Sequence, residues 1–394
     1  MGNDDHEANG MDRRKFMVGA AGSFAVLSGA AACGAGHLSR NKPPFVRLTA
    51  LEQQQAISGL KPPKRPHPVV AILADNRGSE TTDLMIPYAV LKRAGLADVA
   101  VVSSDLSPIA LMPALSIRPQ STLEAFDLAY PEGADYVIVP AFHHDDRDGP
   151  LVTWLRKQAA SRATIIGICE GAKVLGRAGL LDGRAATTHW YAIDALQRAY
   201  PTMRWQPDRR YVVDRGVVTT TGVTASLPIS LALVEVIGGA DAAARLSSQL
   251  GVASHDAAHR SDDFRLNANW VMQLLANRIA VWNHETIGIP VADGVDDIAL
   301  ALTSDVWSRT YRSKAFALSQ SDTITTRDGL ILLPDHKAKA ATDRLIPLDD
   351  HVAPALALDR ALSDIASRYG HRTAGFVALQ LEYPWQAYRS EMRI

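Results

Sequence analysis

The chain has 394 residues, 47% hydrophobic and 21% charged, with a formal net charge of −1. That length suits two domains and that composition a core-forming soluble protein, while the near-neutral charge gives no electrostatic pull toward nucleic acid or an anionic membrane. Two cysteines, Cys33 and Cys169, exclude a disulfide framework.

At the N-terminus, "MDRRKFMVGAAGSFAVLSGAAACGAG" sets Arg13 and Arg14 before Phe16 and a bland Ala/Gly/Val stretch. It resembles a bacterial twin-arginine export signal, with Asp12 where Ser or Thr is usual. "AAAC" also resembles a lipoprotein box, although Ala30 stands where Leu or Val is common. Residues 1–33 are therefore expected to direct export. Lipidation at Cys33 and simple cleavage near Ala32 both fit, and a lipid would be the chain's one link to a membrane. Residues 34–68, ending in "KPPKRPHP", are expected to form an extended tether.

The pattern changes at Val69. Apolar runs "PVVAILAD", "DVAVVSSD", "ADYVIVPA" and "ATIIGIC" alternate with the helical spacings of "TTDLMIPYAVLKRAG", "PLVTWLRKQAASR" and "EGAKVLGRAGL". Near-continuous apolar strands between amphipathic helices predict an α/β fold with a doubly wound parallel sheet. Such a sheet carries its active site at the carboxyl ends of its strands. Cys169 sits at one of those ends.

There, Gly167-Ile168-Cys169-Glu170-Gly171 forces a strand straight into a helix. The two glycines permit close backbone approach, and the apex residue is held at the turn. A helix N-terminus is expected to favour thiolate over thiol, with the Glu170 N–H aimed at an oxyanion beside the sulfur. A core cysteine between two packing glycines is the competing reading of these five residues.

"ICEGAKVLGRAGLLDGRAATTHW" followed by "RYVVDRGVVTTTGVTASLPISLALVEVIGG" resembles the ThiJ/PfpI family of the class I glutamine-amidotransferase-like superfamily, especially the amidase-like sensor domains of AraC-type regulators. The resemblance runs from about Val69 to Gly251 and implies a flavodoxin-like fold with Cys169 as nucleophile. It also implies that Asp83, four residues before Pro87, directs a carboxyl at the sulfur, and that His189 lies near it as base, proton shuttle or substrate contact. A helix N-cap for Asp83 and a loop-bound role for His189 compete with these assignments.

Two departures stand out. Glu170 places a carboxylate where relatives carry Thr, Ala or His, as a helix first-turn acid, a second acid/base group or a contact for a cationic substrate. Pro140-Ala141-Phe142 replaces the family's Pro-Gly-Gly, so the oxyanion hole is expected to be reshaped. "HHDD", His143 to Asp146, reads as a rim loop. His255 and His259, spaced as one helical face, read as packing or surface groups. No cofactor and no metal is called for.

Beyond Gly251, residues 252–394 echo the first half. "IGIPVADGVDDIALALTSDVWSRTYRSKAFALSQ" parallels "VAILADNRGSETTDLMIPYAVLKRAGLADVAVVS", and "TDRLIPLD" parallels "ADYVIVPA". "TAGFVALQLEYPW" falls where the cysteine strand would be, so a smaller α/β lobe, a truncated and cysteine-less second copy, is expected, with chance similarity between two α/β segments as the competing reading. It would cover the first domain's cleft or mimic a dimer partner, with a homodimer left open. No basic recognition helix is evident, which disfavours a transcription regulator. The expected activity is thiol-dependent hydrolysis or hydration of a small amide, carbonyl or isonitrile. The alternative is a noncatalytic ligand-binding or redox-protective envelope protein.

Overall fold

The protein is described by a computed structural model that covers residues 48–144, 149–335 and 342–385. The segment read as an export signal, with Arg13, Arg14 and Cys33, and the pair Asp145–Asp146, lie outside the described residues.

Seven strands form the central sheet: β1 (Val69–Leu73), β2 (Asp98–Ser103), β3 (Ser121–Thr122), β4 (Tyr136–Val139), β5 (Thr164–Gly167), β6 (Tyr211–Asp214) and β7 (Val217–Thr220). Their order is β6-β7-β5-β4-β1-β2-β3, parallel except for β6. Every residue of β1, β4 and β5 is buried, as continuous apolar runs demand when both faces are covered. Val70 and Ile72 enter one core while Val69, Ala71 and Leu73 enter the other. The order reverses at β1, so the crevice between the carboxyl ends of β1 and β4 is the topological switch point.

The helices fill the expected places. Helix α1 (Thr81–Ala94) is N-capped by Glu80 and stopped by Gly95 at φ 66°, α2 spans Pro150–Ala160, and α3 spans Gly171–Arg177. Helices α4 (Ser226–Gly238) and α5 (Ala240–Leu250) close the first half.

The second half repeats strand, helix and strand as β8 (Glu285–Pro290), α6 (Asp297–Ser308) and β9 (Ser313–Leu318), followed by β10 (Arg344–Leu345). These strands form a separate parallel sheet, β9-β8-β10. Helices α7 (Ala357–Tyr369) and α8 (His371–Gln380) end it. The halves do not stand apart. The hairpin 109–118 of the first pairs with Ile331–Leu332 of the second, and α1 packs on α6. Ion pairs join the two helices reciprocally: Arg93 reaches Asp296, the N-cap of α6, and Arg309 reaches Glu80, the N-cap of α1.

Three expectations are corrected. Residues 48–68 are not a free tether: Ala50–Ser58 is a helix closed by a Thr49/Glu52 capping box, Leu60 is buried, and Arg65 pairs with Asp135. "TAGFVALQ" lies in a helix, not in a strand. A segment buried on all sides carries no periodicity to separate the two states. Helices α7 and α8 match α4 and α5, each pair being joined by one glycine in the same conformation, Gly370 (φ 88°, ψ 154°) and Gly239 (φ 84°, ψ 167°). Among the described residues the second half has counterparts of the strand–helix–strand start and of the closing helix pair, and none of the cysteine elbow. Finally, His255 and His259 lie on a loop with no shared helical face. His255 bonds Glu235, and His259 stacks on Phe264.

Candidate active site

Gly167 ends β5, and the turn that follows places Cys169 at φ 54°, a left-handed conformation that strains a residue with a Cβ by roughly 1–2 kcal/mol. Surrounding bonds hold it there. The Cys169 N–H donates to Thr220 Oγ1 at 3.2 Å, Thr188 Oγ1 donates to the Cys169 carbonyl at 3.0 Å, and the Ile168 N–H donates to the Val139 carbonyl at 2.9 Å. The motif's glycines follow from close approach. A Cβ on Gly171 would lie 2.1 Å from the Val139 carbonyl oxygen, and one on Gly167 would lie 3.0 Å from the Leu175 methyls. Gly171→Ala is therefore expected to push α3 off β4 and to cost about 3 kcal/mol in urea unfolding. A change below about 0.5 kcal/mol would mean the elbow tolerates this shift.

Asp83 occupies the third position of α1, behind the Glu80 cap, so it is not itself the N-cap. It is fully buried. Its Oδ2 accepts the Ala141 N–H at 3.2 Å, and its Oδ1 lies 3.5 Å from the Ser226 hydroxyl. Burial, and then the Glu80 charge, push its carboxyl well above the usual range, while the Ala141 N–H and Arg309 oppose the rise. Its environment thus favours the protonated form of Asp83 far more than water does.

The same forces act on the sulfur. Cys169 is 6% exposed, and burial followed by Asp83, Glu170, Glu80 and Glu382 raises its thiol well above the ordinary value. This direction is opposite to the one expected from a helix N-terminus. The seven-residue α3 offers a short dipole, which four carboxylates and burial outweigh.

The remaining sequence candidates fall into two groups. His189 has both ring nitrogens engaged by backbone, Nε2 against the Gln380 carbonyl at 2.9 Å and Nδ1 accepting the Tyr191 N–H at 3.3 Å. To move a proton at the sulfur it must leave these partners. Glu170 pairs with Lys173 one turn along α3, which accounts for the glutamate without assigning it chemistry. At the Pro140-Ala141-Phe142 segment, the Ala141 N–H points at Asp83 instead of an open oxyanion position. His143 and His144 are rim residues in ring contact, and among the described residues no group of three or more His, Cys, Asp or Glu could hold a metal. A 220 Å³ cavity near the switch point is lined by Asp75, Phe142, His144 and Pro150 rather than by Cys169.

Sequence reasoning missed the groups that the second half supplies. Arg309, just past α6, bonds Glu80 Oε1 at 2.6 Å and Asp305 Oδ1 at 2.8 Å. Asp305 is fully buried, its Oδ2 has no hydrogen-bond partner, and its carboxyl is pushed up to about 7, by burial first. The turn after α8 closes over the loops beside the cysteine. Glu382, at φ 54°, accepts the N–H groups of Trp190 and Gly222, and the Thr224 N–H donates to the Leu381 carbonyl at 3.2 Å. Only the internal echo, aligning Arg93 with Arg309, could have pointed to any of these.

The description "DJ-1/PfpI family" matches residues 68–236. The chain is 36% identical over 180 residues to isonitrile hydratase of Pseudomonas putida, covering 43% of this chain and 73% of that one. It belongs to the DJ-1/PfpI family. Its DJ-1/PfpI domain is also 35% identical over 150 residues to the HTH-type transcriptional regulator CdhR of Pseudomonas aeruginosa, spanning less than half of the regulator's length, 43%. Among solved structures, Drosophila melanogaster DJ-1beta aligns with a TM-score of 0.43 at 21% identity, over 48% of this chain and 99% of that one. The DJ-1/PfpI domain therefore accounts for the first half, and α6 to α8 lie outside the matched residues.

Proposed function

We propose that the protein is a thiol-dependent enzyme that hydrates or hydrolyses a small neutral electrophile, an isonitrile, a carbonyl or an amide. The observation that carries this reading is Cys169, held in a strained conformation at the elbow, near the fully buried Asp83, whose carboxyl burial pushes well above the usual range. A neutral thiol next to a neutral carboxyl suits an isonitrile in particular. Sulfur bonds to the terminal carbon, the S–H bond breaks, and Asp83 passes a proton to that same carbon while accepting the one from sulfur. Water then adds to the resulting thioimidate, the C–S bond breaks, nitrogen takes a proton, and an N-substituted formamide leaves with the thiol restored. No step requires a free charge in the buried site.

The test is an infrared assay of a small alkyl isonitrile with the purified protein, following loss of the N≡C band and appearance of formamide. Turnover is expected, abolished in Cys169→Ala and reduced by about 10²-fold or more in Asp83→Asn. If isonitriles, small aldehydes and simple amides all survive unchanged, the catalytic reading fails. The second reading, a noncatalytic ligand-binding or redox-protective protein, is favoured by the Ala141 N–H being committed to Asp83. Export through residues 1–33, with or without lipid at Cys33, is part of the proposal and rests on the sequence of that segment. It predicts that the protein fractionates with the cell envelope.

A further inference from the structure

We propose that the second half of the chain completes the Cys169 site. In this assignment Arg309 is a positioning residue that holds Glu80 and Asp305 charge-paired beside Asp83 and so fixes the charge facing the sulfur. This deepens the thiol reading above, and it can be read on the sulfur without turnover.

The connection runs through one carboxylate. Glu80 Oε1 accepts from Arg309, while its Oε2 accepts the Asp83 N–H at 2.6 Å and the Thr82 hydroxyl at 2.8 Å. Arg309 therefore anchors the turn of helix that presents Asp83. Its guanidinium, with 19% side-chain exposure, also holds Asp305.

The reciprocal arginines allow a direct comparison: Arg93 holds Asp296 and Asp328, as Arg309 holds Glu80 and Asp305. Arg93 and Arg309 stand equally far from their N-caps, Glu80 and Asp296, and each reaches across to the other helix. Four residues before Arg309 stands the buried Asp305, whereas four residues before Arg93 stands Ala89. The third position of α1 is Asp83, and that of α6 is Ala299. The Arg93 side has buried acids of its own, Asp297 and Asp328, so what sets the Arg309 side apart is that Asp83 and Glu80 act on Cys169. There Cys169 meets Asp83 and Glu80 from α1, Glu170 from the elbow and Glu382 from the turn after α8, all negative when ionised. Arg309 bonds Glu80 and Asp305 and acts on Asp83 and Cys169, so it is the cation that Glu80, Asp83 and Asp305 share, whereas Glu170 pairs with Lys173.

The same symmetry provides a matched control. Arg309→Met and Arg93→Met each remove one interhelical arginine, and both are expected to lower Tm by a similar amount. Only Arg309→Met should move the pH profile of Cys169 alkylation by iodoacetamide, followed on the Cys169 peptide of the full chain. Its midpoint should rise by about one pH unit, a tenfold slower rate at fixed pH below the midpoint. Arg309→Lys should restore most of the shift. Profiles that are unmoved, or moved equally in both Met variants, would overturn the assignment. Should Arg309→Met fail to fold, Asp305→Asn is expected to shift the midpoint down, and an unchanged profile there would overturn it equally. A failed isonitrile assay would leave these titrations standing.

Discussion

Alkylation of Cys169 by iodoacetamide is expected to reach half its limiting rate well above the ~8.5 of a free cysteine, and Asp83→Asn should bring that midpoint down by about one unit or more. The reasoning concerns charge in a dry site. Burial is the first cause of the raised thiol and Asp83 the second, ahead of Glu170, Glu80 and Glu382. Asparagine keeps the size of Asp83 and an oxygen for the Ala141 N–H, but it can never become negative. The two groups titrate as a pair, so the observed midpoint belongs to both. The folded thiol keeps its proton in a range where an unfolded cysteine has lost it. In that window the folded state binds more protons, and stability falls as pH rises from ~8.5 toward the folded midpoint. A wild-type midpoint below ~8.5 would contradict the electrostatic account of the site, and one indifferent to Asp83→Asn would remove Asp83 from it.

Glu382→Ala is expected to destabilise the fold by about 2–3 kcal/mol and to speed Cys169 alkylation roughly tenfold at fixed pH. Glu382 is 3% exposed and accepts the N–H groups of Trp190 and Gly222, so alanine leaves two enclosed donors without their acceptor. Those donors belong to the loops that follow Thr188 and Thr220, whose hydroxyls hold the Cys169 backbone. Loosening the turn both uncovers the sulfur and removes a negative charge facing it. Glu382→Gln separates the two effects, since it keeps the shape and an acceptor oxygen while losing the charge. Acceleration in both variants would assign the effect to charge, and acceleration in alanine alone to access. Normal stability and unchanged alkylation in Glu382→Ala would show that this turn does not cover the site.

What could be read along the chain shares one property: it depends on residues close in sequence. Strand and helix alternation through Arg177 follows from periodicity within short windows, and Gly95 ends α1 where a left-handed cap is needed. The elbow is equally local. Gly167 and Gly171 bracket a turn whose geometry five residues specify, so Cys169 and its position at a strand end were legible. Asp83 was legible through its spacing from Pro87 in a familiar motif. The echo in the second half was also visible, although the reading of "TAGFVALQ" as a strand failed because a fully enclosed helix leaves no polar stripe.

The protonation of the sulfur was decided elsewhere. Arg309 meets Glu80 across 229 positions of sequence, and Glu382 meets the Gly222 N–H across 160. The ring of His189 is turned onto the Gln380 carbonyl, a partner that no local pattern names. By itself the sequence determined the scaffold and the place of Cys169, because backbone geometry is set by neighbours along the chain. Only the tertiary structure decided which way the environment pushes its thiol. Burial and Coulomb interaction sum over every group within a few ångströms in a low-dielectric interior, whatever its distance along the chain.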